Sequence, residues 1–503
     1  MPPQKKILFI TREIVPFYYG GIGTLFKALA GMLSAKGHKI SFLSQAHGNF
    51  DQKIFRQEYG QAEIHFVDSP SPDKFPMSCS DVGKVSSFQF TYNLAVAEKF
   101  DRIVSESPPD IVISADFGAE GLFVMAKARL GHYPGIRFIL HISGSLYHLM
   151  TVYESGCVPP MPSKLQDPQN RLMWAMEDGC IPLAPEIIVP TLWTWKETQK
   201  RIKVETNLHV IPNYPDKSFS LSEKEQNSQT NRANNILFIG RLDRCKGADL
   251  LLKLFIKFHL VLPSDTTLTF IGRDCACKEY NSTFLQYWKN RIPASCMDKI
   301  KFLGQVDHSQ VNQYLQEAKL CIFPSRWEVF GLVCLEAMAH GVPILVSKDT
   351  GPAEVLGPEL ENYAFDFEND TQQIITTIQA LCADPTDNRQ LRKKMRERAR
   401  ILKEQTESAM ERLIASNAPP TIPLNKNSRA AILDVLTRGS SAIGDIAFHL
   451  GKDILSVQKH FPIENGVYRD ILIGKVPLTS SHPKLYQGIS SKLAAKFKKI
   501  IGL

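Results

Sequence analysis

The sequence predicts an α/β protein of two doubly wound, Rossmann-like domains in tandem, followed by a small, mostly helical extension. Three observations carry that prediction. Short apolar runs of strand length alternate with amphipathic helical stretches from residue 6 to about 416. The alternation begins twice, at Lys6 and again at Ile236, each time with an apolar run. And 503 residues are too many for one hydrophobic core, at about 150 residues per domain.

The first unit opens with a strand, Lys6 to Thr11, and a loop carrying Pro16 and Gly20-Gly21-Ile22-Gly23. Ile22, Leu25, Phe26, Leu29, Met32 and Leu33 then recur at helical spacing. Gly37 stops that helix, and Ile40 to Leu43 forms the next strand. This is the repeating unit of a parallel sheet, continued by the runs 111–113, 138–140 and 187–189. Asp216 to Asn235 is polar, with Phe219, Leu221 and Ala233 its only apolar residues, and reads as a linker or exposed loop. A second series starts at Ile236-Leu237-Phe238-Ile239-Gly240 and continues through Leu268–Ile271, Ile300–Leu303, Leu320–Phe323 and Ile344–Val346. From about Thr386 to Ser416 the chain is charged and helical in pattern, until Pro419, Pro420 and Pro423 break it. The expected domains are therefore 1–215 and 236–416, joined by 216–235, with the last helices of the second free to cross back, and an extension over 417–503.

Bulk properties narrow the setting. Ile7-Leu8-Phe9-Ile10 is too short for a signal-peptide core and no run is long enough to span a bilayer, so a cytoplasmic location is expected. The ten cysteines are scattered and lack the paired spacing of a zinc site or disulfide scaffold, and no metal site is expected. The net charge is +8, but residues 421–503 alone hold 12 Lys/Arg against 5 Asp/Glu, which accounts for +7. An anionic membrane or nucleic acid would therefore meet the tail and not the main body.

The most informative segment runs from Phe323 to Pro343. A strand ends near Phe323, a loop carries Glu328, and a helix starts around Gly331 and stops at Gly341. Glu336 is flanked on that helix by Val333, Cys334, Leu335, Ala337, Met338 and Ala339, an expensive place for a carboxylate unless something satisfies it. A structural salt bridge would serve as well as a ligand. Glu328, eight residues earlier, favours the ligand, because the helix start beside it offers free N–H groups to an anion. A diphosphate there would leave Glu336 to accept ribose hydroxyls and Glu328 those of a sugar. Gly240-Arg241-Leu242-Asp243-Arg244-Cys245-Lys246-Gly247 follows the first strand of the second domain, where ligands bind in such sheets. Arg241 and Lys246 there would neutralise a diphosphate, increasingly so as it becomes a leaving group.

Together these residues resemble the family 4 retaining glycosyltransferases, whose GT-B fold sets two Rossmann-like domains across a cleft. The resemblance covers roughly residues 5–400. It rests on the Pro…Gly-Gly loop, the Gly-Arg-x4-Lys-Gly loop and, most specifically, the two glutamates within Pro-Ser…Glu-x-Phe-Gly-Leu…Glu-Ala-Met-Ala…Gly-x-Pro. It implies that Glu328 faces the donor sugar, Glu336 the ribose, and Arg241 and Lys246 the diphosphate of a UDP- or GDP-sugar. The amides near Phe330, Gly331 and Leu332 would hold the distal phosphate. His141, following the strand 138–140, falls where the family often has a histidine beside the transferred sugar, and Gly20 and Gly21 would close over the phosphates from the first domain. The implied reaction transfers sugar to a hydroxyl acceptor, glycan or lipid-linked, with retention and without a metal or other cofactor. One departure is Tyr214 after Asn213, where the family usually has glycine.

Asn49–Phe90 and Leu146–Met173 are the expected acceptor loops. A starch- or glycogen-synthase-like enzyme would share the fold and the Glu13…Pro16…Gly-Gly opening, but the Phe330-Gly331-Leu332 motif favours family 4. A non-catalytic protein is disfavoured because every donor residue is present. In the tail, Ala447, Gly451 and Val457 are spaced as in a helix-turn-helix, yet Lys452 and Lys459 are thin support for nucleic-acid binding, which is not expected. Lys484–Leu503 is amphipathic with five lysines; a helix lying on an anionic membrane and one docked on its own protein fit it equally.

Overall fold

The computed structural model describes residues 3–417 except 19, 68–81, 130, 156–167, 215–233, 278–280 and 384. The polar stretch 216–233, the helix-turn-helix pattern, the terminal amphipathic segment and parts of both acceptor loops lie outside the described residues.

The first sheet has seven parallel strands: β1 Lys6–Ile10, β2 Lys39–Gln45, β3 Glu63–Val67, β4 Ile111–Ala115, β5 Arg137–His141, β6 Glu186–Val189 and β7 Asn207–Val210. Their order is β3-β2-β1-β4-β5-β6-β7. The second sheet uses β8 Asn235–Ile239, β9 Thr267–Ile271, β12 Ile300–Phe302, β13 Leu320–Phe323, β14 Ile344–Ser347 and β15 Ala364–Phe365, in the order β12-β9-β8-β13-β14-β15. A short hairpin, β10 Ala276–Cys277 with β11 Ser282–Thr283, stands apart. Both sheets are doubly wound. Strands covered by helices on both faces must be apolar throughout, and β4 and β13 are buried at every residue. The chain reverses its direction of travel across each sheet at β1/β4 and at β8/β13, and loops from the carboxyl ends of those strands border the cleft.

Helix Gly21–Ala35 follows β1 and ends before Gly37, which adopts φ +90° as the predicted stop requires. The 31-residue helix Pro385–Ala415 belongs to both domains. Leu391, Met395, Ala399 and Leu402 pack in the core of the second, whereas Met410, Leu413 and Ile414 join Ile7, Phe9 and Ile40 in the core of the first. Its end is anchored by Arg137, whose guanidinium donates to the carbonyls of Leu413 (2.5 Å) and Ser416 (3.1 Å). Among the described residues, no helix is long and apolar enough to cross a membrane.

Candidate functional site

Two loops of the second domain build one wall of the site, and they are bolted together at their bases. The loop after β8 is organised by the buried carboxylate of Asp243, which accepts from Arg241 Nε (2.7 Å) and from the Lys246 amide (2.8 Å). The loop after β13 reaches across to it. Arg326 pairs bidentately with Asp249 (2.7 and 3.0 Å) and donates to the Arg244 carbonyl (2.9 Å), while the Arg326 amide donates to the Cys245 carbonyl (2.8 Å). Gly247 sits at φ +70° against Pro324, so that a Cβ there would collide with the Pro324 carbonyl oxygen. These contacts set Lys246 opposite Glu328, and the two side chains form an ion pair. Burial works against the Lys246 charge, but Glu328 more than offsets it and the lysine pKa is raised.

The helix that follows, Leu332–Ala339, begins at Gly331, which takes a left-handed conformation (φ +78°). No side chain caps that start, so its first N–H groups face the cleft as an anion-binding end. Gly341 closes the helix at φ +67°, as its sequence position predicted.

Glu328, Arg241 and Lys246 border a single cavity of about 370 Å³ together with Phe330, Gly331 and Leu332. The first domain supplies the opposite wall through Glu13, Gly21, Ile22, Phe117, Ser143, Gly144, Leu149 and Asn213. Three of the sequence-predicted residues do not border it. Glu336 is buried (8% exposed) in the helix beyond Val333 and Cys334, which do line the wall. Gly20 lies behind Gly21, packed on the Glu13 side chain. His141, at the end of β5, is 2% exposed, hydrogen-bonded to Ser143 Oγ (3.0 Å) and edge-on to Phe26. Burial pushes its pKa down to about 4, a fall that a hydrogen bond with the Asn213 side chain only partly offsets. It is thus a neutral imidazole that meets the cavity through Ser143 and Asn213.

Sequence reasoning missed Glu13 as an element of the site. Its carboxylate accepts from the Gly23 amide (2.7 Å) and occupies the start of helix Gly21–Ala35, the place where the glycine loop was expected to meet phosphates. Burial raises the Glu13 pKa, against the amides of Gly23 and Ile22 and the charge of Arg12. A carboxylate eight residues before a helix start that has glycine at its N-cap was the available signal. The sequence also concealed the Arg326–Asp249 pair, because it is set by the meeting of two segments about 80 residues apart.

Two Rossmann-like domains facing across a cleft, with a cationic loop and an uncapped helix start on the second, define the GT-B class of nucleotide-sugar-dependent transferases. The chain belongs to that class through the family described as Glycosyltransferase Family 4, matched over residues 19–218, and Glycosyl transferases group 1, matched over 221–401. A protein of 41.2 kDa from the cps region of Klebsiella pneumoniae is 30% identical over 172 residues, which cover 34% of this chain and 43% of that protein, less than half its length. Among solved structures, the sucrose-phosphate synthase of Thermosynechococcus elongatus superposes with a TM-score of 0.59 at 18% identity, covering 82% of this chain and 98% of that one. The Anabaena protein HepE, in a structure with UDP and glucose, superposes with a TM-score of 0.54 at 15% identity, covering 82% and 100%.

Proposed function

We propose that the protein is a retaining glycosyltransferase that moves a sugar from a nucleotide-diphospho-sugar to a hydroxyl of a glycan or lipid-linked acceptor, acting in the cytoplasm. The observation that carries this reading is the convergence of Glu328, Arg241, Lys246 and the uncapped start at Gly331 and Leu332 on one cavity. The diphosphate would lie on that helix start between Arg241 and Lys246, opening the Lys246–Glu328 pair so that Glu328 accepts hydroxyls of the sugar. Glu336 is assigned the ribose, and Gly21 with Gly20 the closure from the first domain. A uridine nucleotide is the first donor to test, since the HepE structure holds UDP.

In the reaction the acceptor oxygen bonds to the anomeric carbon on the face from which the diphosphate departs. The bond from that carbon to the diphosphate oxygen breaks, and the acceptor proton passes to a phosphate oxygen. Negative charge grows on the leaving diphosphate, where Arg241, the helix amides and a Lys246 released from Glu328 by the donor would stabilise it. The wall formed by Ser143, Gly144 and Phe117 excludes water from the opposite side and protects the donor from hydrolysis. His141 is assigned a place behind this wall, orienting Ser143.

The test is release of nucleoside diphosphate from a panel of UDP- and GDP-sugars, repeated with Glu328→Ala and Arg241→Ala. Turnover of one donor by the wild type, abolished in both folded variants, is the expected result. Absence of binding and turnover with every donor would overturn the reading.

A further inference from the structure

Glu328 is the residue assigned to the donor sugar, yet much of what holds it comes from the other domain. Its neighbour Trp327 is buried, and its indole stacks on the His148 ring with centroids 3.8 Å apart and planes 11° from parallel. Trp193 packs on the indole from a further side, at 4.7 Å. Both partners belong to the first domain, on helices Leu146–Ser155 and Leu192–Arg201. On the other flank, the Val329 carbonyl accepts from two first-domain hydroxyls, Thr191 Oγ1 (3.0 Å) and Thr194 Oγ1 (3.1 Å), and both threonines are buried. From its own domain, the carbonyl of Glu328 accepts from the Gly351 amide (2.8 Å), and Trp327 meets Cys245 through two long contacts, its amide to the Cys245 carbonyl and Cys245 Sγ to its carbonyl (3.5 Å each).

We propose that the first domain positions Glu328, with Thr191 and Thr194 fixing the peptide after it and His148 and Trp193 fixing the residue before it. Contacts that served only to glue two domains together could fall anywhere on the interface; these fall on the two residues that flank the sugar-facing carboxylate. A side chain leaves its backbone along a direction set by the peptides on either side, so clamping residues 327 and 329 aims the carboxylate between them. His148 suits the task as a flat neutral ring: burial, then Arg201 and Lys200, push its pKa well below the ordinary imidazole range. Gly144, at φ +110°, leaves room for this approach, since a Cβ there would press on Val329 Cγ1 at 3.3 Å. The clamp also joins the two half-sites: helix Leu146–Ser155, which carries His148, presents Leu149 to the cavity, so the surface expected to meet the acceptor is one element with the surface that aims the donor glutamate. Thr191, Thr194, His148, Trp193 and Trp327 are thus positioning residues.

The inference rests on the transferase reading, so the full-length wild type is first assayed with UDP-glucose, UDP-N-acetylglucosamine and GDP-mannose; no turnover there would remove that reading itself. With a donor in hand, Thr191→Val/Thr194→Val and Trp327→Leu are compared with Thr191→Ser/Thr194→Ser. Binding of the nucleoside diphosphate alone should stay within about twofold of wild type, because Arg241, Lys246 and the helix start are untouched. The extra affinity conferred by the sugar should be lost and kcat should fall about 10- to 30-fold in the valine and leucine variants, with the serine pair within about threefold of wild type. Two results would overturn the proposal: wild-type kcat in the valine pair whatever its melting temperature, or parallel losses in diphosphate and nucleotide-sugar binding, which would indicate displaced domains instead of a misaimed carboxylate. Should the valine pair not fold, Trp327→Leu gives the same readings.

Discussion

Lys246 and Glu328 form an ion pair across the floor of the cleft, the cation on the loop after β8 and the carboxylate on the loop after β13. Each is the other's stand-in ligand: the lysine occupies the carboxylate that the donor sugar would use, and the carboxylate occupies the lysine that the diphosphate would use. On the proposed reading, a donor would therefore exchange one internal pair for two external ones.

From this exchange, Lys246→Ala should lower kcat/KM for the donor by about 10²–10³, the usual cost of deleting one group aimed at developing charge. Lys246→Arg should recover part of that loss, because it restores the charge but not the compact ammonium. Steady-state kinetics of nucleoside diphosphate release measures both. An alanine variant within about threefold of wild type would remove the lysine from the diphosphate.

Gly247→Ala tests how the two loops meet. The new Cβ would collide with the Pro324 carbonyl and hold alanine at φ +70°, so destabilisation of about 2–3 kcal/mol is expected, seen as a melting temperature lower by roughly 5–10 °C. Because Lys246 is the adjacent residue, donor KM should rise as well. Thermal unfolding followed by circular dichroism, with and without UDP, reads both effects.

The buried Glu186 offers a test by pH. It receives a bidentate pair from Arg137 (2.5 Å to each oxygen) and lies 3.0 Å from His209 Nε2. Burial alone would raise its pKa, but Arg137 and His209 more than offset this and the folded value lies below 4.5. A depressed carboxylate pKa stabilises the fold fully above the unfolded value, and that contribution is lost as pH falls through the folded one. Glu186→Gln should therefore cost about 3–5 kcal/mol near neutral pH, by leaving Arg137 buried and short of a partner, and should flatten the stability loss below pH 4.5. Urea unfolding across an acid pH series is the measurement. Since Arg137 also holds the carbonyls of Leu413 and Ser416, the end of the crossing helix should loosen first, visible in amide exchange.

Tyr214 stands where the family usually has glycine, and its hydroxyl donates to Glu407 Oε1 (2.6 Å) on the crossing helix. Beside it, Thr406 Oγ1 donates to the Pro212 carbonyl (3.0 Å). Tyr214→Phe should cost about 1–2 kcal/mol through the lost hydrogen bond, and Tyr214→Gly about 3–5 kcal/mol through the lost buried ring. Calorimetry distinguishes the two, and equal effects would show that the hydroxyl carries the whole contact.

Much of this protein was legible in its residues. Apolar runs of strand length, glycine stops at Gly37 and Gly341, and polar loops are local statements, each settled within a few residues by sterics and burial. Proximity of Glu328 to a helix start is local too, because Gly331 dictates where that helix begins. What the sequence alone determined was therefore the elements, their order and the identity of the groups at the strand ends. Tertiary structure decided which of those groups share a cavity. It set Glu328 against Lys246, left Glu336 and His141 behind the walls, placed the carboxylate of Glu13 on the helix start meant for a phosphate, and laid Trp327 on His148. The reason is physical: helix and strand are decided by interactions across a few residues, whereas an ion pair, a stack or a cavity wall depends on how two sheets and a crossing helix pack, and no spacing along the chain encodes that distance.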